Sequence, residues 1–173
     1  MTEILQSELS AEDENVNLTA VSLFRQHGKK ICTAESCTGG MIAAALTEVS
    51  GSSECFDGGF VTYSNIQKEH MLGVSEDTLK KYGAVSYQTA LEMSRGAMER
   101  IGADIGIGVT GIAGPGGGSA DKPVGLVYIS ACSKDAHVWC RLRLDGDRSQ
   151  VRSLSCRYAL DLAIRVLREE INK

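Results

Sequence analysis

The sequence predicts a three-layer α/β/α sandwich with a mixed, mostly parallel sheet. Strand-like runs alternate along the chain with amphipathic helical segments, the pattern of a sheet covered by helices on both faces. Glycine-bearing turns join strand to helix, and the last two strand-like runs follow one another directly, so a hairpin supplies the antiparallel part.

Residues 1–16 are polar and acidic, with Glu3, Glu8, Glu12, Asp13 and Glu14, and read as a frayed tail ahead of one domain over 17–173. A helix over 17–27 turns Ala20, Val21 and Phe24 inward and stops at Gly28. Residues 30–35 have strand character, and Ser36-Cys37-Thr38-Gly39-Gly40 turns the chain into an Ala-rich helix over 41–48. Gly51-Ser52-Ser53 breaks the chain before a second strand over 56–63, after which Ser64-Asn65 caps a short helix carrying Lys68. After Gly73 and Gly83, Ala90, Met93, Ala97, Met98 and Ile101 recur at helical spacing over 86–101, a core stripe rather than a cofactor box. A third strand over 105–110 runs into Gly111-Ile112-Ala113-Gly114-Pro115-Gly116-Gly117-Gly118-Ser119, the richest glycine stretch of the chain. Residues 124–132 and 137–144 alternate as paired strands around a turn at 133–136. Asp147-x-x-Gln150 then opens a terminal helix with Val151, Leu154, Tyr158, Leu162 and Val166 inward. No internal repeat or linker interrupts this order.

At 173 residues the chain has the length of one domain whose core needs neither disulfides nor metal. Its 43% hydrophobic and 23% charged residues exclude the disordered, fibrous and membrane classes. A net charge of −4, without a Lys/Arg run interleaved with aromatics, offers no field for a phosphate backbone, so no nucleic-acid partner is expected. No stretch is apolar for long enough to cross a bilayer, and the acidic N-terminus lacks the positive-then-apolar order of a signal peptide. A cytoplasmic protein without a membrane partner is expected. Cys32, Cys37, Cys55, Cys132, Cys140 and Cys156 form no C-x-x-C pair and read as thiols, and His27, His70 and His137 lie far apart outside any H-E-x-x-H frame. No metal and no cofactor are expected.

Ligands of open α/β sheets gather beyond the carboxyl ends of strands. At the first such end, Glu35-Ser36-Cys37-Thr38-Gly39-Gly40 sets a hydroxyl where glycines bend the backbone and expose N–H groups at a helix start. A serine needs a base to become a nucleophile, and none of the histidines follows a strand–turn feature. Ser–Lys pairs are a recognised alternative when the lysine is neutral. Lys68 suits that role, because a helix N-terminus and burial both disfavour its ammonium, and Tyr63 at the preceding strand end can relay or orient the proton. Residue types alone leave a plainer reading open, with Ser36 a turn residue, Lys68 a solvated charge and Tyr63 packing. The loop over 110–119 offers backbone N–H groups to an anion, or is merely a solvated connection; it matches neither a Walker loop nor G-x-G-x-x-G. Arg148 stands at a helix start as a phosphate clamp or a surface ion-pair partner. Cys37, adjacent to Ser36, should point away from it into the core.

Taken together, Ala34-Glu35-Ser36-Cys37-Thr38-Gly39-Gly40, Tyr63-Ser64-Asn65-x-x-Lys68, Gly108-Val109-Thr110 with the glycine stretch to Gly118, and Gly146-Asp147-Arg148 resemble the CinA C-terminal domain family from about residue 17 to the end. Members of that family are known as nicotinamide-nucleotide amidohydrolases, which convert nicotinamide mononucleotide and water to nicotinic acid mononucleotide and ammonia in pyridine-nucleotide recycling. The resemblance implies that activity, with Ser36 as nucleophile and Tyr63 and Lys68 as its partners. It implies a substrate-binding set of Glu35, Thr38, Gly39 and Gly40 on the nucleophile side, Thr110, Gly111, Ala113, Gly114, Gly116 and Gly117 on the loop, and Arg148. Longer family members carry an N-terminal domain with a nucleotide pyrophosphatase activity, which is expected to be absent here, and Ser119 stands where many relatives have threonine.

The implied mechanism is acyl transfer: Ser36 attacks the carboxamide carbon while Lys68, through or beside Tyr63, accepts its proton. Backbone N–H groups of residues 38–40 or of the glycine loop would stabilise the oxyanion, and the loop with Arg148 would hold the phosphate. Two rivals stand beside it: a Ser–Lys amidase or esterase for another carboxamide, and a catalytically silent nucleotide-binding regulatory protein linked to competence or DNA damage. A homo-oligomer, with a dimer favoured, is the expected assembly.

Overall fold

Six strands, β1 (Thr2–Glu3), β2 (Ile31–Glu35), β3 (Phe56–Val61), β4 (Ile105–Gly111), β5 (Leu126–Cys132) and β6 (His137–Arg143), form one sheet in the order β1-β6-β5-β4-β2-β3. Six α-helices connect or follow them: α1 (Val16–Gln26), α2 (Met41–Thr47), α3 (Asn65–Leu72), α4 (Glu76–Tyr82), α5 (Tyr87–Ile101) and α6 (Arg148–Ile171). This computed structural model describes residues 1–172, so Lys173, the end of the domain drawn from sequence, lies outside the described residues.

Helices cover both faces of the sheet, as expected. β2 is buried along its length, and its side chains divide between two cores. Ile31 joins Ile105, Ile107 and Val109 of β4 against α1, α2 and α6, whereas Cys32 and Ala34 meet Leu72, Leu79, Met93 and Ala97 of α3, α4 and α5. On that second side β4 carries Gly106 and Gly108, where a Cβ would stand 2.2 Å from the carbonyl oxygens of Ser94 and Ala90. Only glycine lets α5 lie this close to the strand.

The pairing is mixed. β2 runs parallel to both β3 and β4, β1 runs parallel to β6, and the β4–β5 and β5–β6 pairs are antiparallel. Glu35 pairs in register with Val61 on one side and Val109 on the other. The chain therefore leaves three neighbouring parallel strands at one level of the sheet, and the segments after β2, β3 and β4 meet there.

The caps read from sequence form: the Ser64 hydroxyl accepts from Gln67 N–H, and Asp147 and Gln150 make a reciprocal capping box. Helix α4, capped by Ser75, fills the stretch between Gly73 and Gly83 that sequence analysis passes over. The N-terminus also differs from the frayed tail expected. Thr2–Glu3 adds an edge strand beside Val138 and Trp139, and Ile4, Leu9 and Ala11 are buried. The acidic residues meet arginines of α6, with Glu8 3.2 Å from Arg165 and Glu14 3.4 Å from Arg157. Apolar anchoring and complementary charge order a segment whose acidity alone suggested solvation. Among the described residues no helix is long and apolar enough to cross a membrane.

Candidate active site

Ser36 follows β2 directly, with its N–H donating to Val109 O at 3.0 Å. Lys68 reaches it from α3: Nζ donates to Ser36 Oγ at 3.0 Å and to Thr62 O at 2.6 Å. The lysine is only 1% exposed and makes no ion pair with a carboxylate among the described residues, so burial lowers its pKa from 10.5 to about 8, with the Cys37 thiol acting in the opposite direction. Lys68 therefore reaches its neutral form far more readily near physiological pH than a solvated lysine does, and that form is the state a base for serine requires.

Cys37 lines the same hollow, yet burial raises its thiol to about 11, so it stays protonated and is a poor nucleophile at neutral pH. All six cysteines are free and buried.

A hollow of about 270 Å³ opens over this pair, walled by Ser36, Cys37, Tyr63, Asn65, Lys68, Ala84 and Val85, by the loop residues Thr110, Gly111, Ile112, Ala113, Gly114, Gly116 and Gly117, and by Arg148. A larger groove of about 420 Å³ between α1, α2 and α6 contains none of these residues and no nucleophile–base pair. We therefore place the site at the smaller one.

The glycine loop presents free donors. The backbone N–H groups of Ala113, Gly114, Gly116 and Gly117 have no acceptor among the described residues. Gly114 and Gly117 have φ of +80° and +84°, a region that L side chains rarely adopt. Thr110 supports the loop base by donating from Oγ1 to Ala84 O at 2.7 Å, and Lys122 ties the neighbouring wall through Val85 O at 2.8 Å. Arg148 donates from Nη1 to Gly114 O at 2.7 Å and from Nη2 to Tyr63 Oη at 3.0 Å.

Two sequence expectations change. Tyr63 lines the hollow but is 64% exposed, and its hydroxyl is held by Arg148, with no hydrogen bond to Ser36 or Lys68 among the described residues. Its contact is with Arg148, on the loop side of the hollow. Glu35, Thr38, Gly39 and Gly40 do not line the hollow. The buried Glu35 carboxylate instead accepts from the N–H groups of Gly40, Ile42 and Ala43 at 2.9, 3.1 and 2.9 Å, closing the start of α2 from within. Gly39 N–H donates to Ser36 O at 3.1 Å, and the fully buried Thr38 hydroxyl finds no partner among the described residues. The positive end of α2 is thus spent on Glu35 rather than offered to a ligand.

Sequence reasoning missed Asn65, Ala84, Val85 and Ile112 in the wall, and Arg152, which donates from Nε to Cys37 O at 3.0 Å and from Nη2 to Thr38 O at 2.8 Å. Arg152 stands four residues after Arg148, so helical spacing could have linked the two arginines to one face.

Comparison with known proteins identifies the family and the fold. The family model described as the CinA C-terminal domain matches residues 13–167. A nicotinamide-nucleotide amidohydrolase PncC of Enterobacter agglomerans is 51% identical over 143 residues, covering 82% of this chain and 87% of its own length. A CinA-like protein of Kosmotoga olearia is 44% identical over 155 residues; the chain spans 38% of that longer relative. Among solved structures, the competence/damage inducible protein CihA of Agrobacterium tumefaciens superposes with a TM-score of 0.85 at 46% identity, over 89% of this chain and 96% of that one.

Proposed function

Because the chain belongs to the CinA C-terminal domain family, we propose that it is an amidohydrolase converting nicotinamide mononucleotide and water to nicotinic acid mononucleotide and ammonia. The observation that carries this reading is the 3.0 Å contact between Ser36 Oγ and a buried lysine nitrogen whose pKa is lowered to about 8.

In its neutral form Lys68 has one lone pair and two N–H bonds. Thr62 O accepts one N–H, which helps to turn the lone pair toward Ser36. Lys68 takes the proton of Ser36 as Oγ bonds to the carboxamide carbon, and the C=O electron pair becomes the oxyanion. The tetrahedral intermediate collapses, the proton returns from Lys68 to the leaving nitrogen, and ammonia departs from an acyl-serine. Water then attacks the ester while Lys68 removes its proton. Ser36 leaves with that proton, and the product is the carboxylic acid.

The N–H groups of Gly39 and Gly40 are already committed, so they cannot serve the oxyanion without breaking the turn. The N–H groups of Cys37 and Thr38, which have no acceptor among the described residues, or those of the glycine loop take up that role, and the loop with Arg148 binds the nucleotide phosphate. Tyr63 acts from the phosphate side through Arg148.

The test is ammonia release with product identification from purified protein and nicotinamide mononucleotide, beside a folded Ser36→Ala control. Stoichiometric turnover lost in the variant supports reaction and nucleophile together. A folded wild type that binds the nucleotide without turnover would replace this reading with a silent binding protein, and turnover of other amides only would replace the substrate.

A further inference from the structure

We propose that Arg152 is a positioning residue for the nucleophile, holding the turn behind Ser36 from the second turn of α6; this rests on the reading of Ser36 as the attacking group. The turn is gripped from two sides. Glu35 takes the N–H groups of Gly40, Ile42 and Ala43, and the half-buried Arg152 takes the carbonyls of Cys37 and Thr38. Ser36 O is satisfied by Gly39 N–H, and Thr38 O also accepts from Met41 N–H at 3.3 Å. Cys37 O has Arg152 alone among the described residues.

Cys37 and Thr38 are buried, so water is poorly placed to replace the guanidinium. A planar fork holds two successive carbonyls in one fixed plane, whereas an ammonium, though it can donate to two acceptors, rotates about its stem and imposes no such plane. Each peptide is a rigid plane, so fixing these carbonyls fixes the direction in which the chain leaves Ser36 and, with it, the path of Oγ toward Lys68. Arg148, one helical turn earlier, holds Gly114 O and Tyr63 Oη. The start of α6 therefore sets the spacing between the nucleophile turn and the anion loop.

The experiment compares wild type, Arg152→Lys and Arg152→Ala by the rate at which an activated aryl acetate acylates Ser36, read by mass, together with kcat and KM for nicotinamide mononucleotide and thermal stability. Acylation and kcat are expected to fall roughly ten- to a hundredfold in both variants, with KM near the wild-type value, because a small misplacement of a reacting group costs about that much. Methylguanidinium should restore part of the rate to Arg152→Ala. The lysine variant keeps the charge, so its loss separates orientation from a simple field effect; it also serves alone should the alanine variant not fold. Variants acylated at the wild-type rate, a change confined to KM, or a wild type that is not acylated at Ser36 would each overturn the proposal. A wild type that is acylated but releases no ammonia from the nucleotide would instead overturn the substrate reading, and the Arg152 comparison would still be decided by the acylation rates.

Discussion

Lys68 Nζ stands 3.0 Å from Ser36 Oγ although the residues are 32 positions apart, because β2 and β3 run parallel and deliver both to one end of the sheet. Serine–lysine chemistry then depends on whether the lysine carries a proton. With its pKa lowered to about 8 by burial, kcat/KM should rise with pH and level off through an inflection near 8. A profile flat from about pH 6 to 9 would remove Lys68 as the base.

The same burial affects stability with a definite sign. Between about 8 and 10.5 the unfolded chain holds a proton that folded Lys68 has released, so wild-type stability rises with pH across that window. At neutral pH the buried ammonium costs about 3 kcal/mol. Lys68→Met removes that cost and loses the bond to Thr62 O, so its stability relative to wild type should be highest near pH 7 and decline toward pH 10. Urea unfolding at both pH values measures this, and a constant difference would contradict it.

Tyr63 and Arg148 should behave as one unit. Tyr63→Phe removes the acceptor for Arg148 Nη2 but no contact to Ser36, so KM should rise severalfold while kcat is largely kept. Arg148→Ala should raise KM further, by about tenfold or more, since it removes the charged group and the brace on Gly114 O. Steady-state kinetics of the two single variants and the double variant should give less than additive losses. A fall in kcat at constant KM for Tyr63→Phe would return the hydroxyl to proton transfer.

Glu35→Gln tests the internal cap of α2. The carboxylate oxygens accept three backbone N–H groups, and an amide nitrogen there would face donors with another donor. A loss of about 2–3 kcal/mol in chemical denaturation is expected, with KM little changed because Glu35 is off the wall of the hollow. A large KM effect in a stable variant would give Glu35 back its role toward the substrate.

Much of this molecule is legible from local signals. Period-2 and period-3.6 apolar patterns mark most strands and helices, Ser64 and Asp147 announce their caps, and the glycines after Thr110 announce a loop with free N–H groups. The short β1 escapes because a two-residue strand has no period to detect, and its acidic neighbours hide the anchoring of Ile4 and Leu9. Glu35 is misread for a different reason. Its motif places it beside Ser36, but strand alternation turns its side chain under α2.

Sequence by itself determined the layered α/β class, the residue types able to do Ser–Lys chemistry and the glycine loop, since each depends on local periodicity, turn conformation or side-chain chemistry. Tertiary structure alone decided which of those groups meet. The Tyr63 hydroxyl goes to Arg148, 85 positions away, and Arg152 reaches back 114 positions to Thr38. Such partnerships depend on strand register and on the seating of α6, so they arise only when the layers pack.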